Sequence, residues 1–343
     1  MAKVVLVTGV SRHLGGRMAR VLTAEPGIDR VIGVDVIPPR GDIGGAEFVR
    51  ADIRNPIISK VIRAASVDTV VHMGVIATPV QAGGRMSMKE INVIGTMQLL
   101  AACQKAPTLE KLVVKSTTAV YGSGPKDPAM FTEEMQPKHP PSSGWAKDSV
   151  EVEGYVRGFA RRRPDVQVTT LRLANFFGPT VDTPMTSYFS LPVIPTVLGF
   201  DARLQFVHED DGLEALRRAC VQERPGTFNV AADGVLLLSQ AARRAGRPLA
   251  PIPLPLVGLV GAAVRRAGLA DFSPEQVRFL TYGRGVDTTR MREVFGFSPA
   301  HTTAETFDEF VRSRESTRLI PAERVEAAER QLVSLLGGGR AHA

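Results

Sequence analysis

The apolar residues of this chain fall first in short β-branched runs and then at helical spacing, and the two patterns take turns from Ala2 to about Ala174. Val4 to Val7 is too short and too uniformly apolar for a surface strand, which predicts a buried central one. It breaks at Thr8-Gly9 and resumes as a helix after Gly15-Gly16. A second buried strand spans "RVIGVD", Arg30 to Asp35, and further strands are predicted at Phe48 to Arg50, within Val67 to Pro79, at Lys111 to Gly122 and at Val166 to Pro179. Between them, Ser87 to Ala106 reads as a long helix with Ser87 and Glu90 at capping-box spacing, and a second long helix follows Pro141. Such alternation implies an α/β fold, a doubly wound parallel sheet with helices on both faces. Beyond Ala174 it weakens. The expected organisation is a sheet domain over 1–178, rejoined by 204–232, a smaller lobe over 179–203 and 233–318 closing on the strand ends, and a helix with a disordered tail over 319–343.

The first strand, glycine turn and helix form a unit with a chemical use. Glycine lacks the Cβ that would hold a phosphate away, and the helix N-terminus presents backbone N–H groups to an anion. Asp35 ends the next strand 20 positions after Gly15, where dinucleotide-binding (Rossmann) folds set an acid on the adenosine ribose. The cofactor candidates are therefore Gly9, Arg12, His13, Leu14 and Gly15 in the turn, Asp35, the acid-apolar pair Asp52-Ile53 for the adenine, and Met73-Gly74 at the next strand end. The turn is unusual: Arg12 and His13 stand where a glycine is expected, and either side chain would crowd the pyrophosphate. Arg12 offers a planar fork to a phosphate, including the 2′-phosphate of NADP. Asp35 would repel that phosphate, which favours NAD. Hydroxyls at Ser116, Thr117 and Thr118 end another strand, where open parallel sheets bind ligands.

Composition narrows the classes. Of 343 residues 44% are hydrophobic and 22% charged, the balance of a soluble globular protein. The net charge of +7 comes from arginines scattered among acids, with no aromatic-interleaved basic stripe, so no nucleic-acid partner is expected. The apolar run from Pro251 is broken by prolines and reaches arginines too soon to span a membrane. Cys103 and Cys220 lie far apart in apolar helical contexts, which suggests buried thiols in a reducing compartment and no metal framework. The first strand begins almost at Met1, leaving no room for a signal peptide, so a cytoplasmic location is expected.

The motifs, in order, are Thr8-Gly9 with Gly15, Asp35, Asp52-Ile53, "VVHMG", "NVIGT" at Asn92 to Thr96, "STTAVYG" at Ser116 to Gly122, "RLANFFGP" at Arg172 to Pro179, "FVHEDD" at Phe206 to Asp211 and "FNVAADG" at Phe228 to Gly234. Together they resemble the extended short-chain dehydrogenases/reductases, typified by NAD-dependent sugar-nucleotide epimerases and dehydratases, and within them an actinobacterial group labelled UDP-glucose 4-epimerase-like. The resemblance implies that Gly9 and Gly15 line the pyrophosphate, Asp35 meets the ribose, Asp52-Ile53 meet the adenine and Asn92 lies on a helix beside the active site. Thr117, four residues before Tyr121, matches the hydroxyl that bonds the reacting sugar oxygen. Lys147 matches the lysine on the nicotinamide ribose, and Asn175 a residue near the substrate diphosphate.

The family's general acid/base is a tyrosine four residues before that lysine, and here the position is Ser143. An aliphatic hydroxyl is a much weaker acid than a phenol and needs a separate base. Thr118-Ala119 replaces the acidic pair of the sugar dehydratases, which argues against 4,6-dehydration. The arginine that often precedes "FVH" aligns with Leu204, so Arg203 is the substrate candidate. Family members dimerise through the helices that bear Asn92 and Lys147, which implies a homodimer. Three functions follow: an NAD-dependent epimerase or oxidoreductase of a nucleotide sugar, a catalytically weak nucleotide-binding protein, or a reductase of a non-sugar carbonyl suggested by the apolar stretch Leu254 to Val264.

Overall fold

The computed structural model describes residues 3–77, 83–259, 261 and 274–314. Seven parallel strands form the central sheet: β1 (Val4–Thr8), β2 (Arg30–Asp35), β3 (Glu47–Arg50), β4 (Thr69–His72), β5 (Lys111–Thr117), β6 (Gln167–Leu173) and, after four short strands described below, β11 (Gly226–Val230). Their order is β3-β2-β1-β4-β5-β6-β11, so the chain winds outward from β1 in both directions. Every residue of β1 is buried, as its uniform apolarity requires. Helices cover both faces. On one side α1 (His13–Thr23) and α7 (Glu209–Val221) pack against Val5, Val7 and Val113; on the other α2 (Ile57–Ala64), α4 (Thr96–Gln104) and α5 (Gly144–Arg162) pack against Leu6, Val70 and Val114. The alternation read from the sequence is this doubly wound Rossmann sheet.

A further apolar core lies apart from the two faces of the sheet and includes Phe177, Leu204 and Phe206, which the sequence pattern assigns to the sheet domain. The short strands β7 (Asn175–Phe177), β8 (Ile194–Val197), β9 (Arg203–Leu204) and β10 (Phe206–His208) pair in two-stranded sheets, β7 with β10, β9 with β12 (Leu236–Leu237) and β8 with β13 (Leu249–Ile252). Phe177, Phe189, Phe206, Phe307 and Phe310 form its centre, drawn from β7, α6 (Pro184–Phe189), β10 and the helix Thr303–Ser313. The Phe177 and Phe206 rings lie 4.1 Å apart between centroids. Both cysteines are buried and unpaired, and burial pushes each thiol up to about 12. No helix among the described residues is long and apolar enough to cross a membrane. The stretch expected as a tail over 319–343 lies outside the described residues, as does most of the apolar run Leu254 to Val264.

The helix expected from Ser87 to Ala106 differs in detail. It begins earlier, as α3 (Arg85–Lys89) entered through Gly84 at φ +118°, continues as a π-helical turn over Glu90–Gly95, and then becomes α4. Ser87 therefore sits inside the first turn, and the Ser87–Glu90 capping box does not form. The wider π turn carries Asn92 inward, where its amide bonds both the N–H and the carbonyl of Ile76 at 2.7 and 3.0 Å.

Candidate functional site

Two clefts that share Val75 run across the carboxyl ends of the central strands. The first lies over β2, β1 and β4 and is lined by Thr8, Gly9, Arg12, Asp35, Asp52, Ile53, Met73, Gly74 and Asn92, nine of the expected or adjacent positions. Gly9 has φ +77°, and a Cβ on Gly15 would stand 2.1 Å from the Gly9 carbonyl oxygen. Only glycine lets α1 start this close to β1. Asp35 accepts from the Ser11 N–H at 3.0 Å and the Ser11 hydroxyl at 2.5 Å, tying the turn to the end of β2. Asp52 is held by Arg54 at 2.6 Å, and that hydrogen bond keeps its carboxyl below the usual range. The Arg12 guanidinium lies within this cleft; burial lowers its pKa, and the Asp35 charge partly offsets that.

The back wall is a fixed proton chain. The Thr8 hydroxyl accepts from the Met73 N–H, and its oxygen lies 2.9 Å from His72 Nδ1. The Thr96 hydroxyl donates to the Asn92 carbonyl at 2.6 Å, so its oxygen accepts from His72 Nε2 at 2.9 Å. Nε2 therefore carries the proton and Nδ1 accepts. Burial, with Lys115 adding repulsion, lowers the His72 pKa to about 4, so the ring is neutral at physiological pH. Asn92 also donates to Asp148, a fully buried carboxylate that Arg85 grips with both arms at 2.6 and 2.7 Å. These links lock the Asn92 turn to α5.

The second cleft opens over β5 and β6 and is lined by Leu14, Lys115, Ser116, Thr117, Trp145, Asn175 and Gln276 with apolar neighbours. Thr117 caps the short 3-10 turn Thr118–Tyr121, accepting from the Ala119 N–H at 3.2 Å. Thr117 and Asn175 are brought together in this cleft. Ser143 and Lys147 are not. Ser143 is the N-cap residue of α5, and Lys147 points to solvent; neither lines either cleft. The register of α5 explains this. Glu153 is buried against Arg172 of β6, accepting from it at 2.7 Å and from the Ser116 hydroxyl at 2.6 Å, and that anchor turns Trp145, Ser149 and Glu153, each four apart, toward the sheet. Lys147 then falls on the outer face. Tyr121 is consumed by the same network, bonding Arg172 at 2.7 Å and Asn229 at 2.8 Å and stacking on Phe131.

Two further candidates go elsewhere. The His13 ring leaves the turn for Thr180 at 2.9 Å and Glu209 at 3.2 Å, so it does not line the cleft in which Arg12 lies. Although burial opposes it, hydrogen bonds from His13 and Thr180 hold the Glu209 carboxyl down at about 2, and Arg17 binds the same carboxylate. Arg203 is exposed and borders a separate hollow with Asp127, Phe200, Tyr282 and Arg284. Sequence reasoning missed His72, Lys115 and Trp145. Lys115 had one signal, a charge isolated inside the apolar run "KLVVKST" on a strand-end position facing the ligand side.

A parallel sheet of this order, with a glycine turn after β1 and an acid ending β2, defines a Rossmann-type α/β protein with its ligand cleft at the strand ends. The chain belongs to the NAD dependent epimerase/dehydratase family, whose model matches residues 5–231. An uncharacterized protein of Mycobacterium tuberculosis, Rv0501, is 51% identical over 339 residues, covering 97% of this chain and 90% of its own. A UDP-glucose 4-epimerase from Thermotoga maritima superposes with a TM-score of 0.70 at 20% identity, over 92% of this chain and 99% of that one. A dTDP-glucose 4,6-dehydratase from Bacillus anthracis, solved with NAD, gives 0.69 at 18% identity, over 92% and 97%. At these identities the structures show a shared fold.

Proposed function

We propose that this chain is an NAD-dependent epimerase or oxidoreductase of a nucleotide sugar. The observation that carries the reading is the pair of clefts joined at Val75, with an acceptor carboxylate for a ribose at one end and a hydroxyl and an amide for a sugar at the other. NAD fits the first cleft: the adenine beside Asp52 and Ile53, the adenosine ribose on Asp35, and the diphosphate over Gly9 and Gly15, with Arg12 supplying charge where the turn lacks its middle glycine. Asp35 disfavours the 2′-phosphate of NADP. Met73, Gly74 and Asn92 border the path toward Thr117. When bound, the nicotinamide supplies the hydride acceptor and donor. Thr117 orients the sugar oxygen and Asn175 faces the diphosphate. UDP-glucose and UDP-glucuronic acid, named with structural neighbours, are the first substrates to test. The exposed apolar residues Ile94, Met97 and Tyr155 on the α4 and α5 faces suit a homodimer seam.

A second reading rests on α5: with Trp145 as the residue it presents to the second cleft, the chain would bind a dinucleotide without rapid turnover. Calorimetric titration with NAD and NADP separately, followed by a screen of UDP-sugars, tests both. Micromolar NAD binding with weaker NADP binding and conversion of a UDP-sugar is the expected outcome. NAD binding with no conversion would favour the second reading, and failure to bind either dinucleotide would remove both.

A further inference from the structure

The second cleft contains a group that neither the motifs nor the family description assigns. Of the residues that line it, Lys115 is the one that titrates. Its side chain leaves β5 on the same face as Thr117, two residues on, and passes 5.9 Å from the centre of the Phe176 ring. Among the described residues the half-buried Lys115 amine has no hydrogen-bond or ion-pair partner, and its Nζ lies over the Phe176 ring. The charged and titratable groups that act on it are cationic or neutral: Arg12 from the start of α1 repels it, and His72 from β4 is uncharged. An ammonium without an acceptor, set beside a hydroxyl in a cleft with largely apolar walls, is poorly solvated, so the site gains from a ligand atom that takes or gives a proton there. Meanwhile Trp145 is the residue of α5 that lines this cleft, so the helix presents neither a phenol nor an amine to it.

We propose that Lys115 is the proton-transfer residue of this cleft, acting on a carbinol or carbonyl oxygen that Thr117 positions. The inference rests on the nucleotide-sugar reading for its substrate class, and it moves the acid/base from the helix to the strand. In the oxidative direction the O–H bond of the carbinol breaks and its proton passes to Nζ of the neutral amine, while the hydride lost from carbon goes to the oxidised nicotinamide. In the reverse direction the ammonium returns the proton to the oxygen. The free amine lies at about 8, lowered by burial and then by Arg12, so both protonation states are populated near neutral pH.

The test uses the full chain and two independent readouts. Lysine labelled with 13C at Cε gives one resonance missing from Lys115→Met, expected to titrate near pH 8 and to move when NADH and UDP-glucose are added. With UDP-glucose and NAD as the turnover probe, Lys115→Met and Lys115→Arg are both expected to lose at least 100-fold in kcat with KM nearly unchanged, because arginine keeps the charge but does not release a proton. A resonance that titrates in the ordinary lysine range overturns the proposal whatever the substrate, and so does wild-type turnover by Lys115→Arg or Lys115→Met. A resonance titrating near 8 that moves with NADH, in a chain that converts no nucleotide sugar, supports Lys115 and instead removes the nucleotide-sugar reading.

Discussion

The two clefts are built on opposite principles. In the first, the polar side chains of the walls pair within the protein: Asp35 with Ser11, Asp52 with Arg54, and His72 between two threonines. In the second, Thr117, Asn175 and Lys115 face a cleft whose other walls are largely apolar, and the amine meets the Phe176 ring. A satisfied network is rigid and shapes a site before anything binds. A cation set among apolar walls without an acceptor costs stability. The difference teaches that one cleft is shaped by pairs made within the protein, whereas the other sets a cation and two polar groups among apolar walls.

The sharpest way to break the comparison is at the anchor that sets which residues of α5 reach the second cleft. Glu153→Ala would strand Arg172 in the core, at a cost of about 3–5 kcal/mol in urea denaturation, and would free α5 to rotate. A loss near zero would show that the register has another source. Lys115→Met should do the reverse and stabilise the chain at pH 7 by up to about 3 kcal/mol, from a lowering of the amine from 10.5 to about 8. Here the charged form is disfavoured by the fold, so the wild type gains stability as pH rises from 8 to 10.5, and the variant should lack that slope.

His72 extends the contrast to acid. Its folded value near 4 lies below the unfolded 6.5, so between those values the unfolded chain takes up a proton that the native ring refuses. Stability should therefore fall as pH drops from about 6.5 to 4, by up to about 3 kcal/mol, and the His72 part of the loss should level off below that. Thermal melts of the wild type and His72→Asn across this window measure it. The smallest effect is expected at the rim of the first cleft. Arg54→Ala removes a half-exposed pair with Asp52, worth about 0.2–1 kcal/mol in stability, and should weaken with added salt.

Much of the first cleft was legible because it is local. The apolar run of β1, the break at Gly9, the close start of α1 at Gly15 and the 20-residue step to Asp35 are set by backbone sterics and strand length, which neighbouring residues carry. The second cleft was not, because it depends on rotation. Ser143 and Lys147 have the spacing of one helical turn, and sequence spacing alone does not say which stripe of a helix faces inward.

The amino-acid sequence thus determined the alternation of strands and helices, the glycine turn, the acid at the end of β2 and the hydroxyl at Thr117, each from short-range geometry and burial. The tertiary structure alone decided that the Glu153–Arg172 pair would turn Trp145 and Ser149 inward, that His13 would leave the turn for Glu209, and that Lys115 would line the second cleft over the Phe176 ring. Those outcomes depend on contacts between residues up to 196 positions apart, whose directions are fixed only when the sheet has assembled and each buried charge has found, or failed to find, its counterpart.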